Sequence, residues 1–152
     1  MKRVLALDPG TTETAYVVFD GATVHAKGFL PNAQMLALIK SGDLMPYDEA
    51  AIEMVACYGM PVGRETFETC VWIGRFIERV KVKCEYVYRK DVKMHLCGSM
   101  RAKDGNVRQA LIDKHGTVGT KKNQGPLYGF SSHLWAALAV ADYAVSQGKK
   151  IF

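Results

Sequence analysis

The chain has 152 residues, of which 49% are apolar, and its 20 lysines and arginines against 15 acidic residues give a formal net charge of +5. This apolar content excludes a disordered chain, and no stretch approaches the roughly 18 apolar residues that a membrane span requires. The length predicts a single domain over residues 1–152, large enough to bury a hydrophobic core.

The start of the chain and its cysteines predict a cytoplasmic protein. Met1 is followed almost at once by a predicted strand, without the pattern of a signal peptide. Cys57, Cys70, Cys84 and Cys97 have neither CxxC spacing nor the histidine partners typical of a zinc site. We therefore expect reduced, mostly buried thiols.

The apolar pattern predicts three consecutive strands, followed by strands that alternate with helices. The first three strands are expected at 2–8, 13–20 and 22–29, with Asp20-Gly21 as a hairpin turn. A helix is expected at 31–40, a strand at 49–55, a long helix at 64–82 and a last strand at 84–88. Short helices at 90–96 and 106–114, a basic loop at 116–129 and a helix at 132–146 follow. This order predicts an α/β fold with a five-stranded mixed sheet flanked by helices.

Two acidic residues stand at the ends of apolar strands. Asp8 follows the apolar run 4–7, and Glu53 follows the apolar run 50–52. A buried carboxylate costs several kcal/mol unless a cation or hydrogen-bond donors compensate it, and Mg²⁺ is usually held by one or two carboxylates. Neighbouring strands lie about 4.8 Å apart, so adjacent strands would let both acids hold a metal pair that cleaves a phosphodiester. The alternatives are a turn role for Asp8 before Pro9-Gly10, and an edge-strand role for Glu53.

Basic residues are concentrated in the second half of the chain and predict contacts with nucleic acid. They are Arg89, Lys90, Lys93, Arg101, Lys103, Arg108, Lys121 and Lys122. Contacts of lysine and arginine with phosphate supply most non-specific affinity, although such residues can also form only a solvated surface. Tyr128 and Phe130 either stack on an unpaired base or pack against the C-terminal helix.

Several motifs together resemble RuvC-type Holliday junction resolvases, which have an RNase H-like fold. Residues 7–16, Leu-Asp-Pro-Gly-Thr-Thr-Glu-Thr-Ala-Tyr, resemble the family's first motif, and 51–53, Ala-Ile-Glu, are similar to its second. Lys93, Gly98, Ala102 and Val107 have the spacing of a third, basic stretch, and 138–141 resemble the alanine-rich last helix. The first motif is also similar to sugar kinases and actin-like ATPases, which are much longer two-domain proteins.

This resemblance implies a metal-dependent endonuclease that resolves four-way or other branched DNA by paired cuts, leaving 5′-phosphate and 3′-hydroxyl ends. It implies Asp8 and Glu53 as ligands of two Mg²⁺ ions, for which Mn²⁺ would substitute, and a homodimer paired through helix 64–82. Tyr58, in the glycine-containing loop, lies where such proteins probe the junction. The compact size suits a viral or mobile-element member. A nuclease for RNA–DNA hybrids or flaps and a non-cleaving junction-binding module are the alternatives.

The chain departs from the family in its last helix. The family places two acids, or histidine then aspartate, three residues apart, whereas this chain has His133 and Ala136. His133 is expected to be a metal ligand or proton shuttle, and a structural role near the helix start is the alternative. Asp142, the only acid on this helix, is a possible catalytic substitute, although nine residues place it on another face. Glu65 and Glu68 are further candidates, but acids in a first helical turn are also favoured by the helix dipole.

Overall fold

The computed structural model describes residues 1–148, so the last four residues of the predicted domain lie outside the described part. The elements are β1 Val4–Pro9, β2 Glu13–Phe19, β3 Val24–Pro31, α1 Asn32–Ser41, β4 Glu49–Glu53, α2 Arg64–Arg79, β5 Cys84–Val87, α3 Arg89–Cys97, α4 Asp104–His115 and α5 His133–Gly148. Each predicted helix and strand is present, with differences at the ends. Helix α2 stops before its predicted end because Val80 has an extended backbone.

One five-stranded sheet forms the centre, in the order β3-β2-β1-β4-β5. Strands β1, β2 and β3 pair antiparallel, whereas β4 runs parallel to both β1 and β5. The predicted mixed sheet is therefore confirmed. It makes β1 and β4 neighbours, which the sequence left as a condition for joining their two acids.

Helices cover both faces of the sheet, and the two-residue period of the strands decides which face each side chain meets. Val4 and Ala6 belong to the core under α3, α4 and α5, whereas Leu5 and Leu7 belong to the core under α1 and α2. Asp8 continues the series of Val4 and Ala6. By the same alternation Glu53 follows Ala51, which lies in the α5 core, so both acids face α5.

Two further sequence predictions concern the burial of the cysteines and the absence of a membrane span. All four cysteines are free, but Cys57 is exposed and the other three are only partly buried, so the expectation of mostly buried thiols is wrong. Among residues 1–148, no helix has both the length and the apolar character needed to cross a membrane.

Candidate active site

The turn that follows Asp8 is fixed by hydrogen bonds. The Gly10 amide donates to the Glu13 carbonyl at 2.9 Å, and a Cβ at position 10 would lie only 2.8 Å from that oxygen. The buried Asn32 side chain donates to the Gly10 carbonyl at 2.9 Å and pairs with the Thr14 hydroxyl. Asp8 is therefore held at a rigid strand end, because glycine permits this tight approach and Asn32 ties it to α1.

Asp8 and Glu53 form a carboxyl pair. Leu7 and Ile52 are partners in the β1–β4 register, and the two acids come one residue later. Asp8 is only 5% exposed. Burial, together with the negative charge of Glu53 and a hydrogen bond to it, raises the pKa of Asp8 to about 9. Without a cation, Asp8 therefore keeps a proton at neutral pH, and a cation that replaces this proton would relieve the repulsion.

Arg89 supplies the positive charge next to this pair. Its Nε donates to Glu53 Oε1 at 3.4 Å, and its side chain is half exposed. Attraction to Glu53, and then to Asp104 and Asp8, raises the pKa of the Arg89 guanidinium. Sequence reasoning placed Arg89 only in the basic cluster and missed Asp104. The signal for Arg89 was its position two residues after the end of β5, the strand beside β4.

His133, the first residue of α5, reaches Asp8 from the helical layer. Its Nδ1 lies 3.3 Å from Asp8 Oδ2, while 61% of the side chain remains exposed. The imidazole stacks on Phe29 with ring centroids 5.4 Å apart and planes inclined by 16°. Ser132, directly before it, has a left-handed backbone with φ 46°. The structure therefore brings His133 to the pair of acids, as the sequence predicted, and adds Phe29 as its stacking partner.

Asp142 is not brought to this site. Its carboxylate accepts hydrogen bonds from His95 at 2.9 Å, Lys114 at 2.9 Å and His115 at 2.7 Å. Although burial alone would raise it, these partners hold the pKa of Asp142 well below its usual range. Asp142 also lies about 13 Å along α5 from His133. Its contacts give it a structural role between α3, α4 and α5.

Two adjoining cavities surround the acids. The larger, about 630 Å³, is lined by Asp8, Glu53, Arg89, His133 and also Glu65. The smaller, about 340 Å³, shares Glu53, Arg89 and His133 and adds Lys93, Asp104 and Ala136. Of the two candidate acids on α2, Glu65 thus lines the cleft, whereas Glu68 pairs with Arg64 through a 2.6 Å contact on the helix surface.

Solved structures of RuvC have the same architecture. A Thermus thermophilus RuvC structure matches with a TM-score of 0.67 and 18% identity, covering 96% of each chain. T. thermophilus RuvC in complex with a Holliday junction substrate matches with a TM-score of 0.74 and 16% identity, covering 97% of each chain. The chain has the RNase H-like fold of RuvC. This confirms the predicted fold class, while no family model and no curated protein matches the sequence.

Some of the basic residues lie next to the acids in this RuvC fold. Lys93 lines the smaller cavity, and Lys90 Nζ lies 5.9 Å from the centre of the Tyr58 ring. Tyr58 is 62% exposed and lines the larger cavity. Lys93 and the Lys90–Tyr58 pair are therefore placed at the cleft and its rim.

The other predicted DNA contacts lie on α4 and the neighbouring loops. Arg101 lines a separate recess beside α4, Lys103 immediately precedes that helix, and the Arg108 guanidinium lies 5.3 Å from the centre of the Trp135 ring. Lys121 and Lys122 are exposed in the loop that a bridge between Gly119 and Gln124 closes. Phe130 is buried and packs against Trp135 at 5.4 Å, so its packing alternative is the correct one.

The side chains around Asp8 and Glu53 offer oxygen and nitrogen atoms that can bind a metal ion. Within residues 1–148, no three side chains of His, Cys, Asp or Glu converge closely enough to enclose an ion. Asp8 and Glu53 do converge, and His133 Nδ1 lies 3.3 Å from Asp8 Oδ2. Two carboxylates fit Mg²⁺, which commonly completes its coordination with waters and substrate phosphate oxygens.

Proposed function

We propose that this protein is a metal-dependent, structure-selective DNA endonuclease that resolves four-way junctions by paired phosphodiester cleavage. One observation carries the proposal: Asp8 and Glu53 are paired at the ends of adjacent parallel strands. The likeness to a RuvC in complex with a Holliday junction substrate supports branched DNA as the substrate class.

In this proposal, Asp8 and Glu53 bind two Mg²⁺ ions per site, or Mn²⁺ in their place, and His133 is an additional ligand. Bound divalent ions would activate the attacking water and stabilise the leaving oxygen, giving 5′-phosphate and 3′-hydroxyl ends. Asp8 has to release its proton when an ion binds, so metal affinity should increase with pH. His133, whose Nδ1 lies 3.3 Å from Asp8 Oδ2, orients this carboxylate, and the released proton passes to solvent.

In this proposal, the positively charged side chains around the acids bind DNA phosphates. Arg89 and Lys93 line the cavity that contains Glu53, so they face the position of a phosphate bound near the acids. The Lys90–Tyr58 pair at the rim combines a charge with an exposed ring on which an unpaired base can stack. Phosphate contacts of this kind predict affinity that falls steeply with salt. The remaining basic residues, Arg101, Lys103, Arg108, Lys121 and Lys122, would contact the DNA farther from the acids.

A homodimer would place two such sites on one junction. Helix α2 turns Ile73 and Phe76 toward the sheet, whereas Phe67 and Val71 are 61% and 62% exposed. Exposed apolar side chains on one helix face are typical of a protein interface. The outer face of α2 is therefore the proposed dimer contact, and the structure separates it from the inward face that the sequence could not distinguish.

A synthetic four-way junction tests this function when cleavage with Mg²⁺ and binding without it are measured in parallel. Wild-type protein should cut two opposed strands. Asp8→Asn should abolish cutting because a metal ligand is lost, whereas binding without Mg²⁺ should stay equal because the protonated Asp8 already carries no charge. Glu49→Gln, at the opposite end of β4 and paired with Lys2, is the matched control and should cut normally. Cleavage of hybrids or flaps in preference to junctions would identify a related nuclease. Binding without cleavage would identify a junction-binding module and refute the proposal.

A further inference from the structure

Helix α5, which borders the site, has no acidic residue next to His133. Ala136 lies nearly one turn after His133 and lines the smaller cavity together with Glu53. Its methyl group offers no ligand atom. Asp8, Glu53 and one imidazole are few protein ligands for two divalent ions, so a further acid at this cavity would matter for metal affinity.

Asp104 is such an acid, and it comes from a different helix. It is the first residue of α4 and lines the same cavity as Glu53, His133 and Ala136. The start of α4 is held by the Asn106 side chain, which accepts a hydrogen bond from the Lys103 amide at 2.9 Å. Asp104 itself is exposed, and among residues 1–148 no basic side chain pairs with its carboxylate within 4 Å. Its oxygens are therefore free for a ligand.

Arg89 lines the same cavity as Glu53 and Asp104. Its Nε donates a hydrogen bond to Glu53 Oε1 at 3.4 Å. With Glu53 and Asp104 on one cavity and Asp8 beside Glu53, a divalent cation would interact more strongly there than the single positive charge of Arg89 does. Once displaced from Glu53, the planar guanidinium would be available for a substrate phosphate.

We propose that Asp104 is the third carboxylate of this site and helps Asp8 and Glu53 to hold the divalent cation, a role for which α5 supplies no acid. Among residues 1–148 its carboxylate does not converge with the pair, so its exposed side chain would have to turn toward them once Arg89 withdraws. This inference rests on the proposed metal-dependent function. Asp104 takes the place of Asp142 as the further candidate acid, because the Asp142 carboxylate is already bound by His95, Lys114 and His115.

Calorimetric titration with Mn²⁺ tests the inference without DNA. Asp104→Asn should bind Mn²⁺ at least about tenfold more weakly than wild type, because a charged ligand is lost. Asp113→Asn is the matched control, since Asp113 lies on the same helix, is exposed and bonds Gln109 at 2.9 Å. The control should bind Mn²⁺ as wild type does. Thermal unfolding without metal checks that both variants fold.

A second variant asks whether the acid can be supplied from α5. In the Asp104→Asn background, Ala136→Asp places a carboxylate on the same cavity and should restore Mn²⁺ affinity and junction cleavage together. Wild-type Mn²⁺ affinity in a folded Asp104→Asn protein would overturn the inference, as would an equal loss in Asp113→Asn. If the wild-type chain bound no Mn²⁺ and cut no DNA, the proposed function itself would fail, which is a distinct result.

Discussion

Replacing Asp8 by asparagine should stabilise the metal-free protein at neutral pH, although the same change should abolish cleavage. The pKa of Asp8 is raised from 3.8 to about 9 by burial and by Glu53. Between these values the folded protein keeps a proton that the unfolded chain releases, so stability falls as the pH rises through this window. Asparagine carries no such proton, and its amide can still donate to Glu53.

The size of the expected gain in unfolding free energy follows from the pH interval between the two pKa values. Each pH unit above 3.8 costs the wild type about 1.4 kcal/mol, which approaches about 4 kcal/mol at pH 7. Because Asp8 titrates together with Glu53, we expect the free energy of unfolding of Asp8→Asn to exceed that of wild type by about 2–4 kcal/mol. For a chain of this length, that difference corresponds to a Tm about 5–15 °C higher.

Thermal and urea unfolding in EDTA between pH 5 and pH 8.5 measure this difference. The gap between Asp8→Asn and wild type should widen as the pH rises, and Mg²⁺ should stabilise the wild type but not the variant. Glu49→Gln, which loses only an exposed ion pair with Lys2, should change stability by less than about 0.5 kcal/mol. A variant that is less stable than wild type at pH 7, or a gap that does not depend on pH, would refute the reasoning.

Three further predictions concern the surroundings of the acids. Lys93→Ala should reduce the salt dependence of junction binding by about one unit of slope, and an unchanged slope with unchanged cleavage would make Lys93 a bystander. His133→Ala should lose most Mg²⁺-dependent cleavage whereas His133→Asp should retain it, because aspartate restores an oxygen ligand; wild-type rates in the alanine variant would make the histidine structural. Asp142→Asn should lower the free energy of unfolding by about 2–4 kcal/mol in urea at pH 7, because His95 and His115 lose a charged acceptor. Cleavage per folded molecule should stay unchanged, and a loss of cleavage without a loss of stability would return Asp142 to the site.

The apolar patterns of the sequence determined the order of helices and strands. They also placed one acid at the end of β1 and another at the end of β4. The continuous apolar runs of β1 and β4 are local properties, and so is the turn chemistry after Asp8. Those patterns predicted a mixed sheet with Asp8 and Glu53 as candidates, and a motif resemblance added His133. All three lie at one cleft in the structure.

Only the tertiary structure decided which other charges meet that pair. Arg89 and Asp104 are separated from Glu53 by 36 and 51 residues of sequence, and no periodic pattern links them. They converge because β5 pairs with β4 and delivers α3 beside Glu53, while the start of α4 reaches the same cavity. Asp142 shows the reverse case. The sequence left it as a possible catalytic substitute on another face of the C-terminal helix, whereas packing surrounds it with His95, Lys114 and His115. Long-range packing determines the partners of a charged side chain, and those partners determine whether it serves stability or chemistry.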